Sequence, residues 1–192
     1  MHGILQWFNM RKYVSIDFVR RNYCNLSLLA FCFYGKDQVN LIGGGRRTIE
    51  QLKVGDRIWS MTDDTTRLVP DEIILMMHNG PNQAGLFPLV NEIFFSSKTL
   101  SLVALFYTFE MADGNELSLA ATHTLPVYDP EDKQIKFLRA AKVTTKHRLF
   151  MLDQMIEIRN ITYNQRFGFF SPLTLSGYLM VNNISASCFS DR

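Results

Sequence analysis

The chain has 192 residues, 47% of them apolar, with 20 Lys and Arg against 18 Asp and Glu. That size and apolar share support one domain with an adequate core. The near balance of charge argues against a nucleic-acid binder, since Arg11-Lys12, Arg20-Arg21 and Arg46-Arg47 are too short to form a basic track. Three cysteines without a CxxC pair argue against a disulfide framework or a zinc site. No apolar run reaches the ~18 residues of a membrane span.

In chain order, Arg20-Arg21 comes first, followed by the apolar Leu26-Ser27-Leu28-Leu29-Ala30-Phe31. This has the outline of a secretory signal, but the apolar stretch runs straight on into Cys32 and Phe33. Short apolar or alternating runs follow at 39–42, 57–61, 72–77, 116–119, 125–128 and 148–152. Gly43-Gly44-Gly45, Val54-Gly55-Asp56, Ala112-Asp113-Gly114-Asn115 and Asp129-Pro130-Glu131-Asp132 bound them as turns. Only 48–52 suggests a helical turn. Many short strands with polar turns predict an all-β, sandwich-like or barrel-like domain.

The strand pair predicted by 56–61 and 72–74 is echoed by 147–152 and 156–158, which suggests two related parts, although the echo is too short to prove duplication. Residues 87–104 interrupt the pattern with a Ser-, Leu- and Phe-rich segment containing Val90-Asn91-Glu92-Ile93-Phe94-Phe95. Exposed, such a segment would favour β-aggregation.

The chemistry-bearing candidates are Cys32, in Cys32-Phe33-Tyr34-Gly35, and His123, in Ala120-Ala121-Thr122-His123. A thiol needs a nearby base or proton donor to attack an amide, and such partners meet in space from distant parts of a chain. Taken singly, a buried core Cys and a structural His are the simpler readings. The surroundings add to the pair. In order along the chain stand Val39, Thr48-Ile49-Glu50-Gln51-Leu52-Lys53-Val54-Gly55-Asp56-Arg57-Ile58, Val69-Pro70-Asp71-Glu72-Ile73-Ile74, Phe170-Ser171-Pro172-Leu173-Thr174, Gly177, Val181-Asn182 and Ala186-Ser187-Cys188-Phe189. With Cys32 and His123, this series resembles the hedgehog-type Hint (Hog) domain, the autoprocessing module of hedgehog precursors.

The resemblance implies a Hint fold, a flat horseshoe of short strands in two pseudo-symmetric lobes with the site in the cleft between them. The domain then spans 32–192 with an insertion at about 87–104. Residues 1–31 match no hedgehog signalling domain and are read as the end of a longer precursor or as a mispredicted segment. The implied reaction is cleavage at Phe31-Cys32. The Cys32 sulfur attacks the Phe31 carbonyl through a five-membered ring, driven largely by proximity, and a second nucleophile opens the resulting thioester in a single turnover.

By the same resemblance, His123 hydrogen-bonds the scissile amide nitrogen and protonates it as it leaves, an ordinary pKa of ~6.5 making both forms available near neutrality. His78 stands where sterol-transferring hedgehogs carry an Asp, so water or a small alcohol is expected as acceptor rather than cholesterol; a strand-end surface role is the alternative. Cys188 matches the carboxy-proximal Cys that assists thiol exchange, with structural burial as its alternative.

Two departures predict a slower first step. Ala120 replaces the Thr whose hydroxyl helps hold the scissile amide, and Phe31 replaces a Gly that makes room for the bend. Intein-type splicing is not expected, because Val181-Asn182-Asn183-Ile184-Ser185 lacks the His-Asn followed by a nucleophile. The chain is expected to be a monomer that acts on its own upstream polypeptide, without cofactor or metal, in the secretory pathway. The main alternative is an inactive Hint scaffold or gene fragment serving as a binding module. A cysteine hydrolase acting in trans is the weakest reading, since no Asn or Asp motif marks an orienting third residue.

Overall fold

A computed structural model describes residues 32–62, 67–79, 103–152 and 154–189, without the side chains of 78, 79, 103, 104 and 167. Among them run thirteen strands: β1 (Gln38–Asn40), β2 (Arg46–Thr48), β3 (Arg57–Met61), β4 (Leu68–Asn79), β5 (Val103–Met111), β6 (Glu116–Ala120), β7 (Thr124–Asp129), β8 (Gln134–Arg139), β9 (Arg148–Met151), β10 (Gln154–Phe167), β11 (Phe170–Thr174), β12 (Tyr178–Val181) and β13 (Ile184–Ser187). The only described helical elements are two 3-10 turns, Ile49–Gln51 and Ala140–Lys142, so the all-β expectation holds. No helix among the described residues is long and apolar enough to cross a membrane.

Local sequence explains most of these elements. β3 alternates through its first four residues, with Arg57 and Trp59 exposed and Ile58 and Ser60 buried, the period-two pattern of a strand with one face in the core. β11, β12 and β13 are buried along their whole lengths and so read as continuous runs. The turn between β1 and β2 rests on Gly43, Gly44 and Gly45, with φ of 95°, 101° and 86°, a left-handed region that residues with a Cβ rarely enter. Sequence patterning listed no strand for β5 or for the closing β11, β12 and β13, and it also missed β2, β8 and most of β10. β2 opens on Arg46-Arg47, β8 is exposed or half-buried along its length, and β10 carries polar residues through its second half, so no apolar face announces them.

The sheets are built from a repeated unit. β1 pairs antiparallel with β2, a 3-10 turn follows, and β3 forms a hairpin with the long β4. The same order recurs as β7 with β8, a 3-10 turn, and β9 with the long β10. The correspondence extends to single hydrogen bonds. The N–H groups of Ile49 and Ala140, each opening its 3-10 turn, donate to the carbonyls of Asp37 and His123 at 2.9 and 2.7 Å. The next N–H groups, of Glu50 and Ala141, donate to Gly35 and Ala121 at 3.0 and 2.9 Å. Asp37 and His123 therefore occupy equivalent positions in the two halves.

The halves then exchange strands. β5 follows β4 in sequence but pairs with β10, whereas β11 follows β10 and pairs with β4. This exchange yields a ten-stranded sheet and a three-stranded sheet, the latter ordered β11-β4-β3.

Residues 32–34 lie between the exchanged strands. Phe33 and Phe170 trade backbone hydrogen bonds of 2.9 and 3.2 Å on one side. On the other, Tyr34 N–H donates to Ser118 at 3.3 Å and Ala120 N–H donates to the Cys32 carbonyl at 3.0 Å. The large core gathers around Phe33, Ile49, Phe109, Leu117 and Leu179, while Cys32 packs apart from it with Phe106, Ala120 and Phe169.

Gly35 sits against this clamp, and a Cβ there would clash with Cε2 of the Phe170 ring. Gly35→Ala is therefore expected to cost about 1–3 kcal/mol through overpacking, measured by urea denaturation. An unchanged midpoint would mean that the Phe170 ring swings aside at no cost.

Candidate functional site

The site is assembled around the clamped backbone of Cys32. Its side chain is fully buried, with Sγ 3.6 Å from Oγ of Ser171. Ser171 lies on β11, one residue past the Phe170 that bonds Phe33, and is itself 1% exposed. Neither Cys32 nor Cys188 is joined in a disulfide among the described residues.

His123 lies in the turn between β6 and β7, directly before Thr124 opens β7. Its N–H donates to the Ala120 carbonyl at 3.0 Å, closing that turn, while its own carbonyl accepts from Ala140. The imidazole is fully buried and meets the Phe33 ring edge-on, with centroids 4.4 Å apart. Two hydrogen bonds through Ala120, from its N–H to the Cys32 carbonyl and from His123 N–H to its own carbonyl, tie the thiol-bearing residue to the imidazole-bearing one.

Burial lowers the His123 pKa to about 4, against the smaller opposing effects of the Ser187 and Cys32 backbones. This corrects the expectation that both protonation states are available near neutrality: desolvation penalises the charged ring, and the residue is neutral at pH 7. Nε2 lies 2.6 Å from the Ser187 carbonyl, an acceptor-only group, so Nε2 carries the proton and Nδ1 keeps its lone pair. Nδ1 is buried and without a hydrogen-bond partner of adequate geometry among the described residues. The Cys32 backbone also acts on the ring, favouring its protonated form against the larger effect of burial.

The remaining candidates divide. Cys188 is buried in the large core, its Sγ 3.7 Å from Oγ1 of Thr174, and burial pushes its thiol up to about 12. It is a protonated, packed thiol in a different cluster from Cys32. The residue before it, Ser187, supplies the carbonyl that Nε2 of His123 meets. His78 lies on β4 one residue before Asn79, which pairs with Phe170, so its backbone runs close to the clamp; its side chain lies outside the described residues. Phe31 and 80–102 also lie outside them, and Val103 and Ala104, the last residues of the expected insertion, open β5. No group of three His, Cys, Asp or Glu side chains among the described residues is arranged to hold a metal ion.

Sequence reasoning gave no individual role to Asp37 or Ser171. Asp37 is buried, and its Oδ2 accepts the Ser118 N–H at 3.0 Å. It thereby braces β6 from the same side as the Tyr34 backbone. Burial raises its pKa to about 7, partly opposed by the Ser118 N–H. Beside it, the Arg166 guanidinium lies 4.6 Å from the centroid of the Tyr34 ring and donates to Oγ1 of Thr108 at 3.3 Å. The Lys36-Asp37 pair looks in sequence like any charged turn, and a serine inside an apolar run carries no signal of its own.

Comparison with known proteins gives a consistent picture. The Hint module family model matches residues 24–191. "Protein hedgehog" of Drosophila ananassae is 25% identical over 168 residues, covering 83% of this chain and 31% of the relative. "Warthog protein 4" of Caenorhabditis elegans is 24% identical over 177 residues, covering 85% of this chain and 28% of the relative. The chain thus spans under a third of the length of these relatives. Among solved structures, the DnaB intein of Synechocystis sp. PCC 6803 superposes with a TM-score of 0.61 at 16% identity, covering 81% of this chain and 96% of the intein. A bacterial intein-like domain from Clostridium thermocellum gives 0.59 at 11% identity, covering 81% and 97%.

The two shifted groups act on stability in opposite senses. His123 falls from 6.5 to about 4 on folding, so the unfolded chain binds more protons between these values and stability rises with pH across that window. Asp37 rises from 3.8 to about 7, so the folded chain binds more protons there and stability falls as pH rises. Asp37→Asn keeps an acceptor for Ser118 and should gain on the parent chain steadily from about pH 4 to about pH 7. His123→Gln should lose its advantage over the parent as pH rises from about 4 to about 6.5. Urea midpoints across pH measure both, and parallel curves for variant and parent would refute the assignment.

Proposed function

Because the chain belongs to the Hint module family, we propose that it cleaves its own backbone before Cys32, by an acyl shift from nitrogen to sulfur followed by opening of the thioester. The Cys32 sulfur forms a bond to the residue 31 carbonyl carbon and the carbon–nitrogen bond breaks. The thiol proton ends on the released amino group of Cys32. A second nucleophile, water or a small alcohol, then takes the acyl group and restores the thiol. What carries this reading is the pair of backbone hydrogen bonds, 3.0 Å each, that joins Cys32 to His123 through Ala120.

In this reaction His123 works from its neutral form. With Nε2–H held on the Ser187 carbonyl, the Nδ1 lone pair is free to accept the scissile N–H. Such a bond draws the nitrogen out of amide conjugation and gives the thiol proton a relay towards it. Positioned proton transfer of this kind contributes about 10²–10⁴-fold. Ala120 offers only its backbone. The hydroxyl missing there is worth about 1–3 kcal/mol at a desolvated site, hence roughly tenfold to hundredfold in rate. His78 is retained as the base for the second step, which favours water or a small alcohol over a sterol, and Cys188 as a packing residue that orders the strand holding His123. The substrate is the chain's own upstream polypeptide, and kinship with hedgehog and Warthog proteins supports the secretory pathway as its setting.

A second reading, a Hint scaffold without activity, is favoured by one observation: position 120 presents a methyl group to Cys32 where a hydroxyl would assist the first step.

Intact mass spectrometry of the chain carrying an amino-terminal fusion and incubated with dithiothreitol separates the two readings. We expect a fragment beginning at Cys32, absent with Cys32→Ala and formed about 10²–10⁴-fold more slowly with His123→Ala. With dithiothreitol saturating, the rate should climb from pH 5.5 to 8 without an inflection near 6.5, since His123 titrates near 4. A full-length mass throughout, from folded protein, supports the scaffold.

A further inference from the structure

A sulfur that becomes anionic while fully buried needs a donor aimed at it, and His123 offers no positive charge at neutral pH. On the β6 side Cys32 packs against Ala120, and Phe106, Phe169 and the partly buried Tyr34 complete its cluster. β11 places Oγ of Ser171 3.6 Å from Sγ, within reach of a hydrogen bond to sulfur. β11 is held on both sides here. The Phe33–Phe170 hydrogen bonds lock it to the Cys32 backbone one residue away from Ser171. On its other side β11 pairs with β4, where Phe170 stands opposite Asn79 and Pro172 opposite Met76, so that the extra residue lies on β4 and Ser171 faces an irregular stretch of that strand.

We propose that Ser171 is a catalytic residue of the self-cleavage reaction, donating its hydroxyl proton in a hydrogen bond to the Cys32 sulfur as the thiolate forms and attacks. This rests on the self-cleavage reading. Ser171 keeps its proton throughout: the proton that moves is that of the Cys32 thiol, which ends on the scissile nitrogen, while the hydroxyl stabilises the sulfur between losing that proton and bonding to the carbonyl carbon. The donor on β11 supplies polar support from the side opposite Ala120, so a site that has lost a hydroxyl on one wall retains one on the other.

Two measurements on the fused full chain test the assignment. The first is the thiolate absorbance of the parent minus that of Cys32→Ala across pH, which isolates the titration of Cys32 whether or not cleavage occurs. The second is the rate of dithiothreitol-induced cleavage. Ser171→Ala is expected to displace the Cys32 titration to alkaline pH by about one to two pH units and to slow cleavage about tenfold to hundredfold. Ser171→Thr, which retains the hydroxyl, should stay within a few-fold of the parent. Near-UV circular dichroism confirms that each variant is folded, and Ser171→Gly serves if the alanine variant is not. An unchanged titration and rate in folded Ser171→Ala overturns the proposal. If the parent itself does not cleave, self-cleavage fails, and the titration alone decides whether Ser171 supports the thiolate.

Discussion

The molecule depends on the backbone clamp that holds residues 32–34 between β6 and β11. Peptide groups buried in a core must find partners, because an unmade hydrogen bond there costs on the order of 1–3 kcal/mol. Here the partners come from strands belonging to different halves of the fold: Phe33 bonds Phe170 on one side, and Tyr34 and Cys32 bond Ser118 and Ala120 on the other. The segment bearing Cys32 therefore joins the halves. Its position is set by main-chain geometry, which side-chain substitution changes little, so Ala120 holds the Cys32 carbonyl through its backbone N–H whatever its side chain.

The strand exchange is what creates that seam. Were β5 to pair within its own half, the two units would be separate, and residues 32–34 would have an edge on one side only. Pairing β5 with β10 and β11 with β4 puts one strand of each half on either side of the segment. The pseudo-symmetry reaches the ionisable groups as well. Asp37 and His123 sit at equivalent places, both buried, and both are driven towards their neutral forms, one up to about 7 and the other down to about 4. Desolvation alone accounts for the opposite signs, since it disfavours whichever form is charged.

This low-charge interior distinguishes the site from that of a cysteine hydrolase acting in trans. Such an enzyme holds its thiol as an ion pair with a protonated His in a partly exposed cleft. Here the thiol is fully buried, the imidazole is neutral, and Cys188 is protonated with its thiol pushed up to about 12. A buried thiol suits a substrate already attached to it through the peptide bond, for which no entry path is needed. In the proposed self-cleavage, proximity takes the place of a binding pocket.

The sequence by itself determined the class of the fold and the turns, and it put Cys32 and His123 forward as the candidate pair. Apolar runs such as 57–61 and 125–128, three consecutive glycines at 43–45 and the short echo between 56–61 and 147–152 are local signals, and each became a strand, a turn or half of the repeat. Cys32 and His123 were legible because they stand within extended motifs. Strands such as β8 and the second half of β10 were not, because a largely exposed strand has no apolar face to display. Tertiary structure alone decided the protonation of His123, which follows from burial and the Ser187 carbonyl, and the approach of Ser171 to Cys32 across 139 residues of sequence. Desolvation and through-space contact depend on which distant strands come together, and the strand exchange that brings them together leaves no mark in the residues it joins.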